Sequence, residues 1–308
     1  MKKQLLIFII GIFAIVFSSY GYNRPGSAGA QFLLIGPSPR GMAMSNAIIS
    51  FPWGAEAAYY NPAAIALFTK TEFMVSYMKW FANINYNYAA VARNFGRIGS
   101  LGLLMTSFVT DEMKVRTPLQ PDGTGETFYS GDYRFGVIYG LRLTNHVSMG
   151  MSFNYIYSFL YKNFTSNAFS IDISVLYRTK INNFSFGMKI ENFGSEVKFI
   201  NEAYPLPTNF QFGFSFDVID LKDCRITLAM GANKPNEGDP FGNVGTEMSW
   251  FDMFFIRTGY CINDEVRNYS FGGGISFKLS GGSIRFDYSY SNYKKLGGVQ
   301  SIGVSTGI

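Results

Sequence analysis

The chain carries one histidine, His146, and that alone narrows the chemistry open to it. A Ser-His-Asp relay needs an imidazole held between a nucleophile and a carboxylate, whereas His146 follows Asn145 in a short polar stretch that reads as a tight, solvated turn. A single histidine cannot build a metal cluster either. The carboxylates Asp111, Glu112, Asp122 and Glu126 fall in one loop where Ca²⁺ could meet them, yet their spacing does not follow the ligand pattern of an EF-hand. Gly272-Gly273-Gly274 and Gly281-Gly282 invite comparison with phosphate loops. Such a loop needs a helix N-terminus behind it, and both runs lie within or between alternating strands, where glycine eases curvature or permits a hairpin. Asn163-Phe164-Thr165 matches the glycosylation acceptor triplet, a pattern frequent by chance and given no weight. No catalytic residue, metal ligand or cofactor site is predicted, and the chain is read as non-enzymatic.

The first element that positions anything is a leader. Met1-Lys2-Lys3-Gln4 precedes an apolar run from Leu5 to Phe17, and Ser18-Ser19-Tyr20-Gly21 then turns small and polar. An apolar run of about 13 residues is too short for a membrane helix, which needs roughly 20. Residues 1–21 therefore read as a signal peptide cleaved after Gly21. No second long apolar run follows, although aromatic residues make up 18% and charged residues only 15% of the chain. A soluble domain carries about a quarter charged residues, so this balance suits strands facing lipid. The net charge of +5 comes from scattered Lys and Arg without a basic cluster, which argues against a nucleic-acid partner.

Period two is the decisive signal. From Val147, the residues Val147, Met149, Met151, Phe153, Tyr155, Tyr157 and Phe159 are apolar, while Ser148, Gly150, Ser152, Asn154 and Ser158 stand between them. The pattern returns around Phe169–Tyr177, Phe210–Phe216, Tyr269–Phe277 and Ile284–Tyr290. Charges occupy the polar phase: Asp172, Arg178, Lys189, Glu191, Arg257, Arg285 and Asp287, with Arg134, Arg142, Asp217, Arg225, Glu247 and Lys278. An Arg or Lys facing lipid at midplane would cost about 2–4 kcal/mol, so these side chains must face a lumen. Both signs occur, which predicts ion pairs across a narrow or filled interior. Phe153, Tyr157, Phe212, Phe214, Phe271 and Phe286 should face lipid.

Turn residues divide the pattern into strands at about 71–80, 84–95, 97–109, 130–143, 146–161, 166–180, 183–193, 208–219, 223–234, 242–250, 252–262, 268–279, 282–291 and 298–308. The fold class is all-β: a transmembrane antiparallel β-barrel of about 14 strands over residues 71–308, preceded by a short helical or irregular hatch. Short connections should lie in the periplasm and long ones, at 110–129, 194–207 and 235–241, outside. Cys224 and Cys261 then start and end strands at opposite rims of a band about 25 Å tall, and should be free thiols. Residues 22–70 contain Pro25, Pro37, Pro39, Pro52 and Pro62 and cannot join the wall, because proline lacks the N–H a central strand donates. They should fold in or beneath the periplasmic mouth, anchored by Tyr59, Tyr60 and Asn61-Pro62-Ala63.

Several segments are specific. Ala28-Gly29-Ala30-Gln31-Phe32-Leu33-Leu34-Ile35-Gly36, Arg40-Gly41-Met42-Ala43-Met44 and Tyr60-Asn61-Pro62-Ala63 resemble the opening of the PorV/PorQ family of FadL-like barrels. Gln120 to Thr127, Phe184-Ser185-Phe186-Gly187, Asn192-Phe193-Gly194, Tyr204-Pro205-Leu206-Pro207-Thr208 and Asp287-Tyr288-Ser289-Tyr290 extend the resemblance over nearly all of the mature chain. Ala64 replaces the glycine usual after Asn-Pro-Ala, and Ile308 stands last where many barrels end on an aromatic residue. The resemblance implies a bacterial outer-membrane protein serving type IX secretion. Its implied partners are membrane lipid, a translocon or attachment component, and cargo C-terminal domains, met by the loops at 110–129 and 194–207. The alternative it implies is FadL-like passive transport of hydrophobic small molecules, for which Trp53, Tyr59 and Tyr60 would supply aromatic lining.

Overall fold

In the computed structural model, residues 25–162 and 164–308 are described. The expected leader, residues 22–24 of the hatch and Asn163 of the acceptor triplet lie outside the described residues.

Fourteen antiparallel strands close into a barrel. They are β1 (Glu72–Lys79), β2 (Ile84–Asn94), β3 (Ser100–Thr110), β4 (Gly131–Arg142), β5 (Val147–Phe159), β6 (Thr165–Arg178) and β7 (Ser185–Gly194), followed by β8 (Asn209–Asp220), β9 (Cys224–Pro235), β10 (Phe241–Trp250), β11 (Phe254–Ile262), β12 (Tyr269–Lys278), β13 (Ser283–Asn292) and β14 (Gly298–Gly307). Each strand pairs with its chain neighbours, and β1 closes on β14 from Glu72 opposite Gly307 to Lys79 opposite Gln300. Closure leaves the barrel no free edge strand whose N–H and C=O groups would face lipid unpaired. Strand ends fall within three residues of the sequence expectation. The largest difference is at β3, where Gly96–Ile98 form a 3₁₀ turn before the ladder begins.

Alternation carries through to burial. On β3, Ser100, Gly102 and Leu104 are buried and Leu101, Leu103 and Met105 exposed, and β11 repeats the pattern from Phe254 to Ile262. Phe153, Phe271 and Phe286 stand out into the apolar band, and Tyr157 and Phe212 are partly covered. Phe214 corrects the expectation: it lies in the outward phase but is only 9% exposed. Its register partners Phe186 and Met230, with Phe212 and Phe216 along the strand, crowd it.

The connections after β2, β4, β6, β8, β10 and β12 are short and lie at one end. The opposite end holds the long connections, two of which form small hairpins that alternation did not reveal: Met113–Lys114 with Thr127–Phe128, and Val197–Lys198 with Ala203–Tyr204. Cys224 and Cys261 are unpaired, one at each end.

The segment before β1 fills the lumen. It contains 3₁₀ turns at Gln31–Leu34, Gly54–Glu56 and Pro62–Leu67 and single helical turns at Pro39–Ala43 and Ala57–Tyr60. Proline opens two of these elements, Pro39 after the Ser38 cap and Pro62 after the Asn61 cap, where its missing N–H costs nothing. The expectation of a plug in or beneath the short-turn mouth needs correcting in extent. At the long-loop end, Ala28 N donates to Glu237 Oε2 at 2.8 Å and Gly29 N to Pro205 O at 2.9 Å. From there the segment runs through the lumen to enter β1 at the short-turn end. Phe32 and Leu33 pack with Ile156, Ala168, Val197 and Leu206 near the long loops, and a larger cluster including Met44, Ile48, Tyr60 and Ile65 fills the middle.

Candidate functional site: a charged seat for the plug

Between Pro25 and Thr69 the plug carries two charged residues, Arg40 and Glu56. Arg40 Nη1 donates to Glu56 Oε1 at 2.6 Å, and its Nε and Nη2 donate to the two oxygens of Glu247 on β10 at 2.7 and 3.0 Å. Ser38 Oγ caps the helical turn by accepting from Gly41 N and donates to Glu56 Oε2. Glu247 also accepts from Arg257 Nε at 2.6 Å, and Arg257 Nη1 reaches Asp287 Oδ1 at 2.6 Å. Plug and wall thus share one chain of alternating charge in which bidentate Arg40 fixes orientation as well as distance. Arg285, next on β13, stacks its guanidinium on Trp53 and Phe255.

A second group lies across the lumen. Arg134 Nη2 donates to Asp172 Oδ2 at 2.8 Å and its Nε to Asn154 Oδ1 at 3.0 Å. Lys189 Nζ pairs with Glu191 at 2.5 Å and donates to the Tyr59 carbonyl at 2.8 Å, and its ammonium sits 4.9 Å from the Tyr59 ring centroid. Glu191 also accepts from Asn209 and Gln211. Of the wall charges singled out from sequence, Asp172, Lys189, Glu191, Arg257 and Asp287 thus line the filled interior, and Arg285 is buried at the edge of the short-turn mouth. Arg178, the last residue of β6, lines the same mouth but is exposed there, together with Arg225 and Lys278. His146 is exposed in its turn, with Nδ1 2.8 Å from the Arg178 carbonyl oxygen.

The anchor residues are buried. Asn61 Oδ1 accepts from Ala63 N at 3.1 Å while its Nδ2 donates to Ile49 O at 2.8 Å, and Ala63 N also donates to Ser174 Oγ at 2.9 Å on β6. Tyr59 Oη donates to Leu33 O and Tyr60 Oη to Asn46 Oδ1, both at 2.8 Å, so each ring is buried with its hydroxyl satisfied. Pro62 and Ala63 press on β5 at Gly150, where a Cβ would stand 2.2 Å from Ala63 N.

A family model described as type IX secretion system protein PorV matches residues 22–237, well over half the chain. The chain belongs to the PorV family. No curated protein sequence matches it significantly. Among solved structures, the toluene transporter TodX of Pseudomonas putida aligns with a TM-score of 0.57 at 11% identity, over 95% of this chain and 99% of that one. The toluene transporter TbuX of Ralstonia pickettii gives 0.54 at 12% identity over 90% and 98%. A FadL homologue of Pseudomonas aeruginosa gives 0.53 at 9% over 88% and 98%. At such identities the likeness is one of fold: a FadL-like outer-membrane barrel.

The PorV-like segment Asn192-Phe193-Gly194 has a definite structural task. Register between β6 and β7 shifts from Ile171 opposite Phe193 to Ile173 opposite Ile190, so Glu191 and Asn192 together face Asp172. Asn192 takes the left-handed conformation at φ 59°, and its N–H donates to Asp172 Oδ1 at 2.8 Å. The carboxylate that holds Arg134 therefore also satisfies the bulge. Gly194 passes so close to Phe169 O that a Cβ would come within 1.9 Å. Tyr204 to Thr208, likewise PorV-like, brings Leu206 into the lumen against the plug.

Sequence reading missed Arg40 and Glu56. Their signal was isolation: two opposite charges in a long apolar, proline-broken segment destined for a charged lumen. At the long-loop end, burial is outweighed at Asp264 by Arg267 and by the N–H groups of Val266 and Arg267, which hold its carboxyl below the ordinary range.

Proposed function

We propose that this PorV-family barrel is a non-enzymatic accessory of type IX secretion, seated in the outer membrane with its short turns in the periplasm and its long loops outside. The observation that carries the reading is the family match over residues 22–237. On this reading the loops 111–130 and 195–208 meet a translocon or attachment component and the C-terminal domains of cargo. The filled interior supports it: buried ion pairs and apolar clusters occupy the lumen that a conducting transporter would keep clear. The experiment is affinity purification of the tagged chain from native outer membranes in mild detergent. A stoichiometric large barrel or secreted cargo is the expected companion, lost when loop 111–130 is shortened. Isolation alone, with reduced uptake of hydrophobic compounds in a strain lacking the protein, would instead support passive transport of the kind named for TodX and TbuX.

A further inference from the structure

The Lys and Arg residues that are scattered in sequence are not scattered over the fold. Three consecutive short turns, β2–β3, β4–β5 and β6–β7, bring Arg93, Arg97, Arg142, Arg178 and Lys180 to one half of the short-turn rim. No Asp or Glu occurs between Glu72 and Asp111, between Asp132 and Asp172 or between Asp172 and Glu191, so this arc carries five cations and no carboxylate. Its turns lie side by side: Tyr139 Oη donates to Ile98 O at 2.7 Å, and Arg178 N donates to His146 O at 2.8 Å. At about 4.8 Å per strand, the six strands beneath spread the charge over roughly 24 Å. The other half of the rim is balanced, with Lys70, Lys222, Arg225 and Lys278 against Glu72, Asp217, Asp220, Asp223 and Asp252. There Arg225 pairs with Asp217, Asp220 and Asp252 at 3.8, 3.4 and 3.9 Å, and Lys278 with Asp252 at 4.0 Å. None of the five cations of the arc has such a partner among the described residues. Asp217, which accepts from Asn183 Nδ2 at 2.6 Å, is buried in the inward phase of β8 and shared with Thr227 and Arg225.

Apolar side chains share the same three turns. Phe95, Ile98, Leu143 and Ile181 are exposed there, Ile98 at 71% and Ile181 at 76%. Arg93 falls in the outward phase of β2 opposite the exposed Leu101, and its guanidinium lies 5.8 Å from the Phe95 ring centroid. Cations set among apolar tips, at the end of an apolar band, match the boundary between acyl chains and headgroups, where long basic side chains bury their stems and keep their charge in the polar layer. An acidic soluble protein would answer the cations but would also have to cover the apolar tips, which lipid at this depth covers already. We propose that the arc gathers phospholipids with anionic headgroups in the leaflet that meets the short turns. Arg93, Arg97 and Lys180 meet the headgroups, Ile98 and Ile181 lie among the acyl chains, and Arg142 and Arg178 add to the field from the side of the mouth. The proposal rests on the barrel's place in the outer membrane and not on the secretion assignment.

Brominated lipids, which quench tryptophan on contact, read the selection. In a Trp250→Phe background, Ile181→Trp puts a fluorophore on the arc and Leu221→Trp puts one at the matching exposed turn of the balanced half, with Trp53 and Trp80 common to both. The protein is refolded into phosphatidylcholine vesicles holding rising fractions of brominated phosphatidylglycerol or brominated phosphatidylcholine. Quenching at position 181 should show phosphatidylglycerol preferred about tenfold, and Lys180→Gln should lower that preference about fivefold, as for one cation lost near an anionic surface. At position 221 the two lipids should quench alike, and high salt should remove the preference at 181. Equal quenching by the two lipids at position 181 in low salt would overturn the proposal and leave the arc to an acidic soluble partner. The same preference at both positions would overturn it in favour of unselective attraction, and loss of the preference on adding inorganic phosphate at constant ionic strength would replace the lipid by a free anion. Heat-modifiable migration of each variant, with Lys180→Arg as the charge-conserving control that keeps the preference, separates lost lipid binding from lost fold.

Discussion

Asp172 holds three things at once: the Arg134 guanidinium, the amide of Asn154 and the N–H that the β7 bulge frees at Asn192. Removing it strands a buried cation whose carboxylate partner is gone. Asp172→Ala should therefore cost about 3–5 kcal/mol, as for breaking one side of a buried pair, measured by urea unfolding in lipid vesicles. Replacing both partners, Arg134→Met with Asp172→Leu, should recover most of that loss, because the desolvation cost of both charges disappears together. The polar phase of β6 and β7 made Asp172, Lys189 and Glu191 legible from sequence, since inward charge is the only affordable direction in a wall facing lipid. Their partners were not legible. Arg40 reaches Glu247 across 207 positions of chain, and no local periodicity carries information over that separation.

Elements in the wall are shaped to admit the plug. Glycine occupies inward positions where plug backbone approaches, at Gly150 against Ala63 and at Gly259 against Met44 and Ser45. Gly150→Ala should push the Asn61–Ala63 turn off β5 and cost about 1–3 kcal/mol by overpacking, with faster hydrogen exchange over residues 57–67 and unchanged heat-modifiable migration. Gly281→Ala, where a Cβ meets nothing within 4 Å, is the neutral control. The loop 263–268 is expected to respond to acid. Because the folded state lowers the Asp264 carboxyl, its contribution is present above the unfolded carboxylate range and lost as pH falls through the folded value. Protection of this loop's amides, taken relative to the intrinsic exchange rate at each pH, should fall on acidification, and Asp264→Asn should remove the dependence. Strand count and phase were readable because period two recurs along the chain with turn residues between the repeats. The bulge at Asn192 and the two loop hairpins were not, since a two-residue ladder is too short to show a period.

On the scale of the molecule, the barrel wall and the plug answer to different forces. The wall is closed by ladder bonds from β1 to β14 that do not involve residues 25–70, whereas the plug is held by buried charge and side-chain packing. A chain lacking residues 25–70 should still show heat-modifiable migration and should conduct ions in planar bilayers, while the whole chain stays closed. Failure of the shortened chain to close would make the plug a folding core, and closure without conductance would show that other groups block the lumen.

The path of the plug also sets an order of events. Ala28 is fixed among the long loops, yet the chain enters the wall at Glu72 on the opposite end, beside the very seam where the last strand meets the first. The protein is threaded through its own ring, and a closed ring cannot be threaded except end-first. Sealing of the β1–β14 seam around residues 25–70 already lying inside avoids that passage and sets the expected order. A peptide spanning 25–70, added to barrels closed without it, should leave their conductance open, although the same peptide present during refolding should shut it.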